Sequence, residues 1–477
     1  MRNRIRADYE QIMMFPPCLE DWVPKDHPAR FIRDTVDAMD LRTLGFRTND
    51  SDVGGSCYGP DLLLKVWLYG YFNKIRSTRN LERACREHMG LIWLSGRNYP
   101  DHNTLWRFFH KNKKGIESVF KNSVRVALTC GLVGMVENSV DGTKIMSNAA
   151  REELMSLEDA EIRLEQYDRR IEDYMTEIER QAQEGVGEYK LPFSMQCALQ
   201  RRQNIRNALA VIQESGQKKV HHREPEARLM KNRRVTDLAY NAQAVADKDN
   251  GIIVAAEVVT DESDNGQSVL MLDRVKENVG RVADVNSLDG GYFSGVQIGL
   301  AEERGYNVLI NRHPSEIQAS DASKPKVYHV SLFTYDKDRN SLTCPQGVEL
   351  HYAGTKVKGA NAHEFHVFRC RSHKTCPHRS KCTNGKAGRE VAVSVHYEAI
   401  ERHRIKREDP KNKELLRHRK AIIEPVFAWI KSRLGFRRWT VYGLEAVRAQ
   451  WFMICATINL QKLYKHWLSG GLAPIME

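Results

Sequence analysis

Glu137-Asn138-Ser139-Val140-Asp141-Gly142-Thr143-Lys144-Ile145-Met146 puts an acid in the middle of a short strand. Val140, Ile145 and the alternation around them suit a strand buried on one face. Gly142 lets another backbone or a ligand come close. An aspartate in a core strand is costly unless a metal, a proton or a partner compensates it, so Asp141 asks for partners. The alternative is an aspartate at a strand end that caps a turn at Gly142. Lys144 shares the side-chain parity of Asp141 only if a bulge intervenes, which a glycine permits.

Downstream of this strand the pattern changes. Leu157, Leu164, Ile171 and Ile178 repeat every seven residues, with Ala160, Tyr167 and Tyr174 between them, which predicts an a/d seam. Glu184-Gly185-Val186-Gly187 breaks it, and Met195, Leu199, Ile205, Leu209 and Ile212 supply a returning helix. Residues 151–214 therefore read as an inserted helical hairpin, either an arm for a partner or a packed spacer. A basic linker follows, including Gln217-Lys218-Lys219-Val220-His221-His222-Arg223. Strands are expected over 239–246 and 252–259, joined by a hairpin turn at Asn250-Gly251. A helix over 267–279 comes next. The run from Asp284 to Leu288 is a strand that ends at Asp289, followed by the turn Gly290-Gly291-Tyr292. A helix over 296–304 and a strand over 307–310 complete this part. Residues 311–395 form a second insertion of short strands. Asp409-Pro410 opens a helix that runs to Gly435, with Ile423, Phe427, Ile430 and Leu434 inward. Pro425 predicts a kink or a restart inside it. The last amphipathic helix covers 444–467.

Upstream, Phe15-Pro16-Pro17 is extended, and 28–40 reads as an amphipathic helix. Residues 58–134 form a helical domain. Pro60 starts one helix, Ser77 caps the next, and a short helix covers 89–94. The helix after Pro100-Asp101-His102-Asn103-Thr104 carries Leu105, Trp106, Phe108 and Phe109, with Arg107, Lys111, Lys113 and Lys114 beside them. Short helices ending in a basic one resemble a helix-turn-helix module, with a plain bundle bearing a solvated basic face as the alternative.

The chain has 477 residues and a net charge of +12, which predicts several domains or insertions and a polyanionic partner, nucleic acid before membrane. No run of 18 apolar residues exists, so no membrane span is expected, and Met1-Arg2-Asn3-Arg4-Ile5-Arg6 lacks the apolar stretch of a secretory signal. Ten cysteines, scattered apart from one late cluster, fit a reducing, cytoplasmic compartment.

With both insertions removed, the order is a strand with Asp141, a hairpin, a helix, a strand ending at Asp289, a helix, a strand, and a helix carrying Glu424. That is the element order of the RNase H-like fold. The expected fold class is α/β: an RNase H-like mixed sheet with an N-terminal helical domain, an inserted helical hairpin and an inserted Cys-rich β subdomain. The boundaries are 1–134 for the helical domain, 135–150 and 234–310 for the first part of the core, 151–233 for the hairpin and linker, 311–395 for the Cys-rich insertion and 396–477 for the C-terminal helices. Three carboxylates from separate elements suit Mg²⁺, which keeps waters and substrate phosphates as further ligands. Two such ions about 3.5–4 Å apart activate the attacking oxygen and stabilise the leaving one in phosphodiester cleavage.

Val140-Asp141-Gly142-Thr143-Lys144, Leu288-Asp289-Gly290-Gly291-Tyr292 and Glu424-Pro425-Val426-Phe427-Ala428-Trp429-Ile430-Lys431 resemble the three acidic motifs of DDE transposases from bacterial insertion sequences. Leu19-Glu20-Asp21-Trp22-Val23-Pro24-Lys25-Asp26-His27 and Pro100-Asp101-His102-Asn103-Thr104 are similar to that group's N-terminal domain. The resemblance implies Mg²⁺ (or Mn²⁺) held by Asp141, Asp289 and Glu424. It also implies cleavage and strand transfer at DNA ends, binding to terminal inverted repeats and target DNA, and a homo-oligomer on DNA. The second motif usually reads Ala-Asp-Ala-Gly-Tyr, with alanines where Leu288 and Gly290 stand. A glycine common after the phenylalanine of the third motif is Ala428. The tyrosine and arginine that often precede the glutamate correspond to Arg417 and Lys420. Lys431 lies seven residues past Glu424, on the same helical face, where it steadies a phosphate or pairs near the glutamate. Arg107, Lys111, Lys144, Lys420, Arg437 and Arg438 are the candidate DNA contacts.

Cys344, Cys370, Cys376 and Cys382, with His373 among them, offer more than the four ligands a tetrahedral Zn²⁺ takes. Related transposases carry a comparable group, often with a CxxC pair where His373-Lys374-Thr375-Cys376 stands, so Cys370 and His373 both stand as the fourth ligand. The alternative is four reduced, unligated thiols. Two rival functions share this chain's features: a DNA-binding regulator whose core does not cut, and an RNase H-like nuclease without strand transfer.

Overall fold

A central strand with an aspartate in its middle organises the larger part of the molecule. The structure, a computed structural model, describes residues 18–47, 57–183, 193–232, 235–313, 316–317, 328, 330–358, 363–383, 385 and 387–471. Phe15-Pro16-Pro17 and the break at Glu184-Gly185-Val186-Gly187 lie outside the described residues. The chain divides into two compact units, Met1–Phe120 with Ala456–Glu477, and Lys121–Cys455.

The first unit contains α1 (Pro28–Asp37), α2 (Pro60–Phe72), α3 (Thr78–Glu87), α4 (Met89–Leu94) and α5 (His102–Lys111). Ser77 caps α3 by accepting from Asn80 N, and Asp101 caps α5 by accepting from Asn103 N at 2.8 Å and Thr104 N at 2.9 Å. Trp67 of α2 is buried against Phe109, with ring centroids 5.3 Å apart, and its indole N–H donates to Leu105 O. Leu105, Phe108 and Phe109 thus spend the apolar face of α5 on this core. Asn112 ends the helix: its Nδ2 donates to Phe108 O and its Oδ1 accepts from Arg47 N. A new helix, α6 (Lys113–Thr129), starts beyond it, so Lys113 and Lys114 do not extend α5.

In the second unit, β1 (Glu137–Met146) pairs antiparallel with β5 (Val235–Asp247) and parallel with β7 (Val285–Leu288), which pairs parallel with β8 (Val308–Ile310). β4 (Arg228–Asn232) and β6 (Ile253–Val259) run antiparallel along successive parts of β5. β4 lies in the stretch the sequence reads as linker. The β1–β5 register is unbroken from Asn138↔Asp247 to Met146↔Ala239. No bulge intervenes at Gly142, so Lys144 projects from the face opposite to Asp141.

Two helices, α7 (Leu157–Gln183) and α8 (Phe193–Ser215), form the hairpin, and β2 (Leu154–Met155) pairs with β3 (Val220–His221) at its base. Its seam buries Ala160, Ile171, Met195, Ala198, Ile205 and Ile212. Leu157, the first residue of the seven-residue repeat, is exposed because Met155 and Val220 fill the basal layer.

After β6 come α9 (Ser268–Val279), which ends at Gly280 with φ 89°, and α10 (Gly295–Glu303). A separate antiparallel sheet follows, ordered β13-β12-β11-β10-β9, from β9 (Thr334–Asp336), β10 (Ser341–Thr343), β11 (Glu349–Lys358), β12 (His363–Arg369) and β13 (Glu390–Ser394). Phe333, Leu342, Leu350, Phe368, Val391 and Val393 form its core. The chain then returns to the first sheet through α11 (Tyr397–Glu408) and α12 (Pro410–Ala428), which packs on β1, β5 and β7. Pro425 neither breaks nor restarts α12. The departure comes one turn later, where Trp429–Arg433 is π-helical and Leu434 N donates to Trp429 O at 2.8 Å. The helix α13 (Leu444–Leu468) closes the chain. Among the described residues no helix is long and apolar enough to cross a membrane.

Candidate active site

The parallel register Val140↔Leu288 means that Asp141 and Asp289 are the next residues of two adjacent strands pointing the same way. Asp141 Oδ1 accepts from Gly142 N at 2.8 Å, and Asp289 Oδ1 accepts from Gly291 N at 2.7 Å, capping the turn Gly290–Tyr292. Gly290 is required by close approach: a β-carbon there would stand 2.3 Å from Arg312 O. The glycine that departs from the usual motif therefore packs the turn against the next loop.

Burial pushes the Asp141 carboxyl up to about 6. Arg419 opposes this, while Asp289 and Asp264 add to it as neighbouring negative charges. Arg419 is a buried residue of α12 whose Nη1 lies 3.4 Å from Asp141 Oδ2. Sequence reading passed over Arg419 and Asp264. Asp264 sits in the connection between β6 and α9, where its Oδ1 accepts from Asn241 Nδ2 at 2.8 Å and Gln243 Nε2 at 2.7 Å. The available signal was on β5: Asn241 and Gln243 are buried amides in an otherwise apolar strand, and buried amides need partners. Tyr292, fully buried, donates its hydroxyl to Gln243 Oε1. Burial and the three nearby aspartates hold that phenol well above its usual pKa, so it stays a donor.

Glu424 lies on the exposed side of α12 and makes no hydrogen bond or ion pair among the described residues. It is five residues beyond Arg419, about 140° around the helix, so Arg419 is the α12 side chain turned to Asp141. Asp141, Asp289 and Glu424 are not drawn into a tight ligand set. Among the described residues only Glu153, His221 and His222 bring three such atoms within 4.8 Å of one another. There His221 Nδ1 accepts from Arg223 N, which leaves the proton on Nε2 for Glu153 Oε2, 2.9 Å away. That arrangement is an ion-pair-like tie at the hairpin base rather than an open ligand.

Lys431 falls in the π-helical turn, whose wider pitch removes the simple two-turn alignment with Glu424. Arg438 is tied to the end of β1: Nη1 donates to Ser147 O at 2.7 Å and Nη2 to Asp237 Oδ2 at 3.3 Å. Arg437 is exposed beside it. Lys144 is half-buried on the face opposite to Asp141. A cleft of about 410 Å³ beyond the Asp289 turn is lined by Arg312, Arg407, Lys413, Arg417 and Lys420, with Glu408 as its single acid. In the first unit, Arg107 and Lys111 are exposed on α5 beside Trp106.

The half-buried carboxylates of Asp141, Asp289 and Asp264 suit a hard divalent cation. Asp289 and Asp264 add negative charge beside Asp141 with Arg419 as the opposing cation, the donor set is all oxygen, and Gly142 and Gly291 withhold β-carbons that would crowd the Asp264 carboxylate. In the small sheet, burial pushes the thiols of Cys370 and Cys382 up, with Cys344 and Cys376 close enough to add to it, and all four cysteines are half-buried. His373 Nδ1 lies 3.3 Å from Cys370 O, beside the same group.

Two family profiles match the chain: the Transposase DDE domain over residues 343–464 and the Transposase domain (DUF772) over residues 17–111. The protein belongs to the DDE transposases of insertion-sequence type. The first match covers Glu424, Lys431 and the four clustered cysteines of the transposase. The second covers Arg107 and Lys111. Asp141 and Asp289 lie between the two matches. No curated protein and no solved structure matches the transposase.

Proposed function

We propose that this transposase binds the terminal inverted repeats of its element and catalyses metal-dependent cleavage of the DNA ends and their transfer into target DNA. The observation that carries the reading is the emergence of Asp141 and Asp289 side by side from parallel strands. The sheet order, with β7 and β8 parallel to β1 on one side and β5 and β6 alternating in direction on the other, supports an RNase H-like core. Asp141, Asp289 and Glu424 would hold Mg²⁺ or Mn²⁺. When bound, the metal supplies the charge that activates an attacking oxygen and stabilises a leaving one.

The chain's own groups do the rest. Arg417 and Lys420, exposed in the basic cleft, seat backbone phosphates beside the turn of Asp289. Arg107 and Lys111 of α5 grip the end DNA, with Lys144, Lys431 and Arg437 as further phosphate contacts. Arg438 orders the loop that carries Arg437. Pairing two element ends takes at least two protomers. Cys344, Cys370, Cys376 and Cys382 hold a structural Zn²⁺ in the small sheet.

One observation favours a second reading, a DNA-binding regulator that does not cut: Arg419 already pairs with Asp141 and would compete with a metal there. Incubating the purified protein with a fragment carrying the element's own ends, with and without Mg²⁺, separates the two. Nicked or joined ends that require both Mg²⁺ and Asp141 support the transposase reading. Tight end binding without a cut in either condition supports the regulator.

A further inference from the structure

Asp264 is half-buried, has no ion pair among the described residues, and holds its two carboxylate oxygens very differently. Oδ1 is pinned by two amides of β5, Asn241 Nδ2 and Gln243 Nε2. Oδ2 accepts no hydrogen bond among the described residues and is turned to the Asp289 turn. It lies 3.6 Å from the point that a Gly291 β-carbon would occupy, and Asp289 Oδ1 lies 3.0 Å from the same point. On the other strand, a β-carbon on Gly142 would stand 2.5 Å from Asp264 Oδ1. The glycines next to or near Asp141 and Asp289 thus keep open the space into which Asp264 reaches.

The orientation is enforced from a distance. The Tyr292 hydroxyl donates to Gln243 Oε1, which fixes the amide so that its Nε2 faces Asp264. The turn after Asp289 therefore orders the residue that orders Asp264. One oxygen is thus doubly bonded and fixed in place, and the other is open to water or a cation on the side of the Asp289 turn.

We propose that Asp264 is a further carboxylate of the Asp141–Asp289 centre and supplies an oxygen to the divalent cation held there. The inference rests on the metal-dependent reading above. Hard divalent cations take carboxylate oxygens together with waters, so an additional acid from a neighbouring loop is within the accepted donor set.

The test uses the full-length protein and Mn²⁺ alone, with binding read by electron paramagnetic resonance of the free ion. Asp264→Asn is expected to weaken Mn²⁺ binding by roughly ten- to a hundred-fold, as loss of a supporting carboxylate does at other metal sites. The Mn²⁺ concentration giving half-maximal end cleavage should rise by the same factor, with end-DNA binding in chelator unchanged. Wild-type Mn²⁺ affinity in Asp264→Asn, with binding lost in Asp141→Asn, overturns the proposal and leaves the metal centre standing. Wild-type affinity in both variants overturns the metal reading, and the proposal with it. Should Asp264→Asn fail to fold, Asp264→Ser takes its place, since a hydroxyl still accepts from one amide but carries no charge. Unchanged Mn²⁺ affinity in that variant is equally decisive against the proposal.

Discussion

Asp141 is held at a cost that Arg419 and the Gly142 N–H only partly offset. Its carboxyl titrates near 6 in the folded protein against an ordinary value near 3.8. The folded state binds that proton more tightly than the unfolded state, so stability falls as pH rises from about 4 to about 6 and stays lowered above it. Asp141→Asn removes the penalty and, without metal, is expected to stabilise the protein by about 2–3 kcal/mol at pH 8. The gain should vanish near pH 4. Thermal melts of the two proteins in chelator at pH 8 and pH 4 check both the sign and the window, and equal midpoints at pH 8 refute the account. At this scale the sequence was informative where chemistry is local. Asp141 sits within one recognisable strand and Asp289 ends another, and their neighbouring glycines mark close approach. Arg419 and Asp264 were invisible because neither has a local signature. One is a basic residue in a basic helix and the other an acid in a polar loop, and only the packing of α12 and the buried amides of β5 give them a role.

Among the elements, α11 was not set apart within the helical stretch 396–477 because its exposed charged residues hide the short buried stripe of Ala399, Ile400 and His403. His403 Nε2 accepts from Ile310 N at 3.0 Å, joining α11 to β8. Burial first, then Arg407, Lys406 and Arg404, push this imidazole down to about 3. Its folded pKa lies below the unfolded one, so the contribution is complete above about 6.5 and is lost as pH falls toward 3. Wild-type protein should lose about 2 kcal/mol between pH 7 and pH 5 through this group. His403→Gln keeps an acceptor for Ile310 N and should lose less. Urea midpoints at the two pH values measure the difference, and parallel losses would exonerate His403. The helix α5 carries the other prediction of this scale. Its apolar face is committed to the core, so Arg107→Ala with Lys111→Ala should leave the fold intact, weaken end-DNA binding and reduce the salt slope by about 2. A gel-shift titration at several salt concentrations gives both quantities, and an unchanged slope would take α5 off the DNA surface. The hairpin was legible as an element because a heptad seam is a long-range pattern, although Leu157 shows that the pattern alone does not say which layer closes the end.

At the scale of the whole molecule, the third acid and the cysteines depend on parts far apart in sequence. The helix α12 packs on β1 and β7 but turns Arg419, not Glu424, to Asp141. Glu424→Gln keeps size and hydrogen bonding and removes charge. The variant should bind end DNA normally and lose cleavage and joining together by roughly a thousand-fold. Glu414→Gln, on an exposed part of the same helix, is the control and should cut at the wild-type rate. Cleavage at that rate by Glu424→Gln would remove it from the centre. The four grouped thiols predict about one Zn²⁺ per chain, checked by elemental analysis of protein never exposed to chelator. Protein without zinc would return the cysteines to the reduced, unligated state. The fold order was legible because strand and helix periods survive insertion. The side-chain geometry of the centre was not, since it is decided by which face of α12 meets the sheet.

The central position of β1 has a consequence for how the protein is made. Its parallel partner β7 leaves the ribosome only after the hairpin, β4, β5, β6 and α9 have been synthesised. At roughly 5–20 residues per second, that interval lasts many seconds. The hairpin contacts are local and form within it, whereas one edge of the strand bearing Asp141 must wait unpaired. The nascent chain thus passes through a stage with a finished arm and an unfinished sheet, when the exposed edge of β1 is open to pairing with another chain.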